Sequence, residues 1–469
     1  MNDSRDNQAI LTVEEISAGG GSSRISTAIF ALLCIVPAFA TMLFGAVDSA
    51  TWIFISVFWV LIVLLWLADA WNAGGMVINT SWLQIPIVGL IAIGLVQLLP
   101  LGSAAGLSAG TWASLSLDPY ATRFFLIRLI VFLTFFAACL AFINSERRIK
   151  TVVILTIVFG ALMAFFGILQ RLANPDGIYG MRLTPQAIPF GPFVNQHHFA
   201  AFMQMTGGLT LGLLFGRDTP RDKQLMLATV YIVMGVAVVF TSSRGGLLGF
   251  MTVGAFVVVL NLLSGRFSRS EKTADTGSVQ RKIAIAAGGL ALLIVIFGTA
   301  LMLGGNDNLL RGIGAVNADA DFSTGRLHFW PVAIRIFLEH PIIGAGFDAF
   351  GVAFTKHDTW NGFMRVEQAH NEYLQTLADS GLAGLICISS FILLLFRKSM
   401  AVIASTGAFR QSAAIGALAG CLGIMAHSFF DFPLRTHSNA FFFLILAAIA
   451  TATVAEEHHH RRRHRRHHD

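Results

Sequence analysis

The sequence predicts an all-α polytopic membrane protein with about twelve transmembrane helices, on three observations. The first is composition: of 469 residues, 55% are hydrophobic, 12% are charged and 40 are phenylalanine, and the mean hydropathy is +0.70. A soluble domain averages about 45–50% apolar and about 25% charged residues, so lipid is the solvent for most of this chain. The second is that the apolar excess recurs along nearly the whole length, which excludes a disordered chain, a coiled coil or a soluble domain on a single anchor. The third is an evenly spaced series of basic clusters between alternate apolar windows.

A spanning helix needs about 20 predominantly apolar residues. Windows that meet this lie near 27–47, 50–68, 83–100, 122–143, 151–170, 197–216, 225–241, 246–263, 283–303, 381–396, 411–429 and 438–455. Arg128 interrupts the fourth, and the sixth opens on polar residues. An even number puts both termini on one side. That side carries 21 of the 32 basic residues, so the positive-inside rule places both termini in the cytoplasm. The chain then divides into a cytoplasmic segment (1–26), nine spans (27–303), a large periplasmic loop (304–380), three spans (381–455) and a His/Arg-rich cytoplasmic tail (456–469). Arg24, the apolar run and Ala38-Phe39-Ala40 have the look of a signal peptide. The run continues past Ala40, so the first helix is expected to stay as an anchor. The tail is expected to adhere to anionic lipid, at about 1 kcal/mol per basic residue. The net charge of +6 is thus a topology and lipid signal that does not imply nucleic acid. Cys34, Cys139, Cys387 and Cys421 all fall inside apolar stretches, so neither a disulfide nor a zinc site is expected.

Polar chemistry gathers on the outer face. All eight histidines outside the tail, namely His197, His198, His328, His340, His357, His370, His427 and His437, fall on or beside it. Within the long loop, Arg326 to His340 reads as an amphipathic helix ended by Pro341 and followed by Gly344 and Gly346. It either lies along the membrane surface or caps the bundle. A second helix is expected from Glu367 to Gly381. His370 at i+3 from Glu367 would have a carboxylate beside its imidazole, favouring one tautomer and raising its basicity; an ordinary surface pair is the competing reading. Asn371 and Gln375 share a neighbouring face. In Ser242-Ser243-Arg244-Gly245-Gly246 an arginine stands at the edge of hydrocarbon, where such residues face a cavity with a partner or snorkel to the headgroups. Arg171, Arg182, Arg311, Arg326, Arg335, Arg365 and Arg435 join it, and guanidinium groups concentrated there suggest phosphate or pyrophosphate. Asn195, His197 and His198 mark a helix entrance, and His427 and Asp431 stand at i,i+4. No HExxH-type spacing links these groups, so hydrogen bonding to a sugar or packing between helix ends is expected of them and a metal is not.

Together, Ser242-Ser-Arg244-Gly-Gly after a span, Arg326 opening the loop helix, His340-Pro-Ile-Ile-Gly344-Ala-Gly346, Ala369-His370-Asn371-Glu-Tyr373-Leu-Gln375 and the Gly381/Gly384 pair resemble the bacterial O-antigen ligase and polysaccharide polymerase superfamily. The resemblance is strongest over about 190–436; windows one to five match only in hydropathy. It implies a GT-C-like helical fold in the inner membrane and an inverting glycosyltransferase independent of metal and cofactor. The donor would be a glycan on undecaprenyl pyrophosphate, and the acceptor a hydroxyl of lipid A core or of another glycan, on the periplasmic side. His370 would be the general base and Glu367 its orienting carboxylate. Arg244 and Arg326 would bind pyrophosphate. From their own outer-face placement rather than from the resemblance, Asn195, Asn371, Gln375, Arg171 and Arg435 are expected to complete the substrate-binding set, with membrane lipid and Phe-rich helices taking the polyprenyl chain. His427 to Arg435 resembles only some branches, and no role is carried onto it. A repeat-unit polymerase using the same donor is the alternative within the class; a protein O-oligosaccharyltransferase lacks an extra terminal domain in its support. A transporter or flippase is the alternative of another class, against which stand the lack of an inverted repeat and the one-sided polar residues.

Overall fold

The computed structural model describes residues 10–12, 23–102, 113–173, 177–185, 187–217, 219–267, 276–305, 310, 325–360 and 366–452. Arg311, Arg365 and the 456–469 tail lie outside them. The described residues form fourteen α-helices: α1 Arg24–Met42, α2 Ser49–Ala73, α3 Gln84–Gln97, α4 Pro119–Phe142, α5 Glu146–Ala173, α6 Gln196–Leu214, α7 Arg221–Phe240, α8 Arg244–Phe267, α9 Thr276–Met302, α10 Arg326–Glu339, α11 Phe350–His357, α12 Glu372–Ser405, α13 Ala408–His427 and α14 His437–Thr451. Among the described residues, sheet is confined to two short pairs: β1 (Ile10–Thr12) runs parallel to β2 (Met76–Ile78), and β3 (Gly177–Ile178) pairs antiparallel with β4 (Arg182–Leu183). Each apolar window of the sequence falls on one helix. The fold is an all-α polytopic membrane protein, in which nine helices among the described residues are long and apolar enough to cross a bilayer.

The other three window helices show why apolar length alone is a partial guide. Both α3 and α14 are shorter apolar helices. At 1.5 Å per residue, the 15 residues of α14 reach only about 22 Å. Every one of them is buried, so α14 is walled by protein and need not match the lipid thickness. α6 is likewise buried along almost its whole length. The peripheral helices are the inverse: α2 exposes Ile53, Phe54, Val57 and Leu64, a surface that is stable only against hydrocarbon.

Small residues bring the central helices together. Gly208 and Gly212 on α6 face Gly416 and Gly420 on α13, and a Cβ added at Gly208 would fall 2.7 Å from Gly416 O. This is a small-xxx-small contact on both helices, which lets backbones approach in a solvent where apolar burial gives no drive for association.

A cap covers one end of the bundle. α10 and α11 bury Phe329, Val332, Ala333, Ile336, Phe350 and Phe354 in a small core of their own with Ala369 and Ala378. Two glycine motifs lock the cap down. The His340 to Gly346 turn lies against the start of α12, with Ala345 N donating to Ala378 O and Leu382 N to Pro341 O. A Cβ on Gly344 would fall 2.2 Å from Ser380 N, and one on Gly381 2.5 Å from Ile342 C. Gly381, at φ +62°, breaks α12 into a cap portion and a long apolar portion. Buried Gln97, at the end of α3, fastens the same turn: its amide donates to Ile343 O and Asp379 O and accepts from Phe347 N.

Candidate active site

The expected helix from Glu367 is corrected by the structure. Residues 366–369 are non-helical and α12 begins at Glu372, because Asn371 acts as its N-cap, accepting from Tyr373 N and Leu374 N. A cap side chain bonded to the first turn requires an extended backbone at its own position, so Glu367 and His370 never acquire the i+3 relation. Glu367 stands against α11 instead: a Cβ on Gly351 would meet its Oε2.

His370 itself adopts φ +51°, a left-handed conformation that costs a non-glycine residue about 1–3 kcal/mol and collects at functional sites. Its neighbours hold it there. Gln375 Oε1 accepts from Ala369 N at 2.6 Å, Gln375 Nε2 donates to the Asp379 carboxylate, and Glu372 N donates to Ser428 O. Asn371 and Gln375, expected to bind substrate, are thus both engaged in fixing the backbone around the imidazole. Ser242 and Asp348, also at this end, have positive φ as well.

The carboxylate at the imidazole is Asp431, whose Oδ1 lies 3.4 Å from His370 Nδ1. The His370 side chain is 32% exposed and that of Asp431 2%, so the pair has one open end and one sealed end. Burial alone would push the Asp431 carboxyl up, but the His370 ring, with the imidazoles of His197 and His198, outweighs burial and holds it well below the ordinary carboxylate range. Phe432 N donates to the same Oδ1. The His370 ring is flanked by Phe432, edge-on at 4.9 Å, and Phe329, stacked at 6.0 Å. The only sequence cue to Asp431 was its i+4 spacing from His427.

Two helix ends converge beside this pair. At the start of α6, Asn195 caps His197 N and His197 Nδ1 bonds Ser243 Oγ at 2.8 Å. Ser243 Oγ also accepts from Gly246 N, so it caps α8, whose first residue is Arg244. Arg326 donates from Nε and Nη2 to Phe430 O, one residue before Asp431. Buried His427 Nδ1 contacts Gln204 Nε2. His198 Nε2, His370 Nδ1, His427 Nε2 and Asp431 Oδ2 are buried without a hydrogen-bond partner among the described residues, the His370–Asp431 approach being an ion-pair contact. Such atoms cost about 1–3 kcal/mol each and call for a functional reason.

Arg435 is placed differently from the other expected arginines. It donates to Asp348, Asp379 and Glu372 at 3.0, 2.8 and 3.2 Å. Burial works against its charge, yet the three carboxylates outweigh that and hold the guanidinium above its ordinary value. Arg128, the interruption in the fourth window, lies 3.6 Å from Asp348. Arg171 ends α5, an element supplying none of the described contacts of His370. Arg182 is tied to Asp48.

Behind Phe432 a cavity of about 420 Å³ runs between α3, α4, α12 and α14. Its walls are mainly apolar, including Ile87, Phe125, Phe132, Ile388, Phe391 and Phe443, while Arg128, Asp348, Glu372 and Arg435 line its polar part. The sequence offered no sign of it. Because Phe432 lines the cavity and also touches His370, apolar chamber and imidazole are separated by one ring.

No curated protein matches the chain. The family model described as O-antigen ligase matches residues 229–389, about a third of the length, which takes in Arg244, Arg326, His370 and Gln375 while leaving Arg171, Asn195, Asp431 and Arg435 outside it. Over that stretch, running from α7 across the cap into α12, the chain is similar to the O-antigen ligase family.

Proposed function

We propose that the protein is an inverting glycosyltransferase of the bacterial inner membrane that moves a glycan from undecaprenyl pyrophosphate to an acceptor hydroxyl, with its cap and site on the periplasmic side. The observation that carries this reading is the His370–Asp431 pair: an open imidazole backed by a sealed carboxylate, held in a strained backbone conformation. With Nδ1 turned to Asp431, Nε2 is the nitrogen left for chemistry. It takes the proton of the acceptor hydroxyl as the oxygen attacks the anomeric carbon, and a positioned imidazole contributes about 10²–10⁴-fold in such a step. Asp431 stabilises the imidazolium that forms. The bond from the anomeric carbon to the phosphate oxygen breaks on the opposite face, which inverts the centre and leaves both electrons on the polyprenyl pyrophosphate.

That leaving group needs charge stabilisation more than protonation. Arg244, Arg326 and the backbone N–H groups at the start of α8 would supply it, since a helix N-terminus and guanidinium groups both favour phosphate oxygens. The apolar cavity behind Phe432 suits a lipid chain that must lie beside a polar reaction centre. A transporter would call for polar groups near mid-depth, whereas here they cluster under the cap.

The test is reconstitution of the purified protein in nanodiscs with undecaprenyl-pyrophosphate-linked glycan and, in separate reactions, lipid A core or a second lipid-linked glycan. Transfer that His370→Ala abolishes in a folded protein is expected. The acceptor consumed decides between a ligase and a repeat-unit polymerase. Full activity of the His370→Ala protein would reject the reading.

A further inference from the structure

Trp360 stands apart from the residues used so far. It is 49% exposed, large for an indole on a chain segment outside the spans. Its position is nevertheless built. Asp358 Oδ1 accepts from Trp360 N at 2.9 Å and from His328 Nε2 at 2.8 Å, so one carboxylate clamps the backbone of the indole and the imidazole beneath it. The His328 ring stacks on the indole at 4.3 Å with an interplanar angle of 10°. Phe329 closes an edge at 5.7 Å, and the same Phe329 stacks on the His370 ring. An unbroken row of rings therefore leads from Trp360 to the imidazole. His328 and Asp358 are themselves only 15% and 13% exposed, so the exposed part of this assembly is the indole.

A braced aromatic face is the usual partner for the C–H face of a pyranose ring, whose hydroxyls remain free at its edge for hydrogen bonds. A contact of this kind orients a sugar without trapping it. We propose that Trp360, braced by His328 and Asp358, is the stacking platform for a sugar of the acceptor glycan, which it holds while a hydroxyl further along the chain reaches His370. The inference deepens the glycosyl-transfer reading and rests on it.

The experiment uses the full-length protein in nanodiscs, with the undecaprenyl-pyrophosphate-linked glycan as donor and both acceptors, lipid A core and a second lipid-linked glycan. For whichever acceptor the wild type consumes, Trp360→Leu is expected to raise the acceptor KM roughly tenfold with kcat and donor KM within about twofold, and Trp360→Phe to restore most of the loss. A purely structural role would lower kcat and both KM values would move together, which overturns the proposal. An unchanged acceptor KM in Trp360→Leu also overturns it, while leaving His370 as base. Should Trp360→Leu fail to fold, Trp360→Phe, Trp360→Tyr and His328→Ala carry the same comparison: acceptor KM must rise when the brace is removed and stay near wild type when an aromatic ring is kept. If the wild type consumes neither acceptor, the underlying reading falls and the platform with it; if only the Trp360 variants match wild type, the platform alone falls.

Discussion

Replacing Asp431 with asparagine removes one charge and little else. The amide oxygen can still accept from Phe432 N, as Asp431 Oδ1 does at 2.9 Å, and the volume is unchanged. What is lost is the attraction between the carboxylate and the imidazolium that forms in the transition state, 3.4 Å away. Coulomb's law gives that pair about 5 kcal/mol at an effective dielectric of 20 and about 1.2 kcal/mol in bulk water. With Asp431 sealed and His370 one-third open, the balance falls at about 2–3 kcal/mol, which is roughly a 30- to 150-fold loss of kcat. Donor and acceptor KM should hold, because neither substrate needs the charge to bind. The assay is initial-rate transfer in the nanodisc reconstitution, with the thermal unfolding of the Asp431→Asn protein as control. A kcat within threefold of wild type, in a preparation where His370→Ala is inactive, would show that Asp431 merely packs beneath the ring and would refute the argument.

Arg435→Gln leaves Glu372, Asp348 and buried Asp379 facing one another; breaking such a buried pair costs about 3–5 kcal/mol, so the unfolding temperature in detergent should drop sharply and Arg435→Gln/Asp379→Asn should recover much of it. If the single variant unfolds at the wild-type temperature, the cluster has been misread. Gly344→Ala should fail to yield folded protein, since its Cβ would fall 2.2 Å from Ser380 N at φ +74°. Gly74→Ala, at φ +72° with open space around the new Cβ, should cost about 1 kcal/mol; size-exclusion profiles compare the two. Gln375→Leu strands Ala369 N, a penalty of about 1–3 kcal/mol, and by loosening the His370 backbone should lower kcat roughly tenfold while leaving acceptor KM unchanged; a selective rise in KM would instead put Gln375 on the substrate.

The contrast between Gln375 and Asp431 shows where the sequence stops being legible. Gln375 was readable as functional because it stands at i+4 from Asn371 on a face neighbouring His370, but spacing does not distinguish a side chain aimed at substrate from one aimed back at Ala369 N. Asp431 was readable only as one of a pair with His427, since a carboxylate 61 positions beyond His370 acquires meaning only when the connection between α13 and α14 folds back under α12. Glu367 failed for a local reason: Asn371 is the N-cap of α12, so the helix starts only after the expected partner. The Gly344/Gly346 and Gly381/Gly384 motifs were legible as motifs, yet their purpose, one backbone seated on another, lies in a contact between distant segments.

Sequence by itself determined the solvent and the helices, because hydrocarbon admits backbone only when its hydrogen bonds are closed within each segment, and that demand is written in composition and length. It also marked His370, Arg244 and Arg326, whose chemistry is costly to keep near lipid without a use. Tertiary structure alone decided which helices are walled by protein, which carboxylate meets the imidazole, which arginine is neutralised by three acids, and that a chamber opens behind Phe432. Those are properties of packing between segments far apart in the chain, and no local pattern encodes the distance between them.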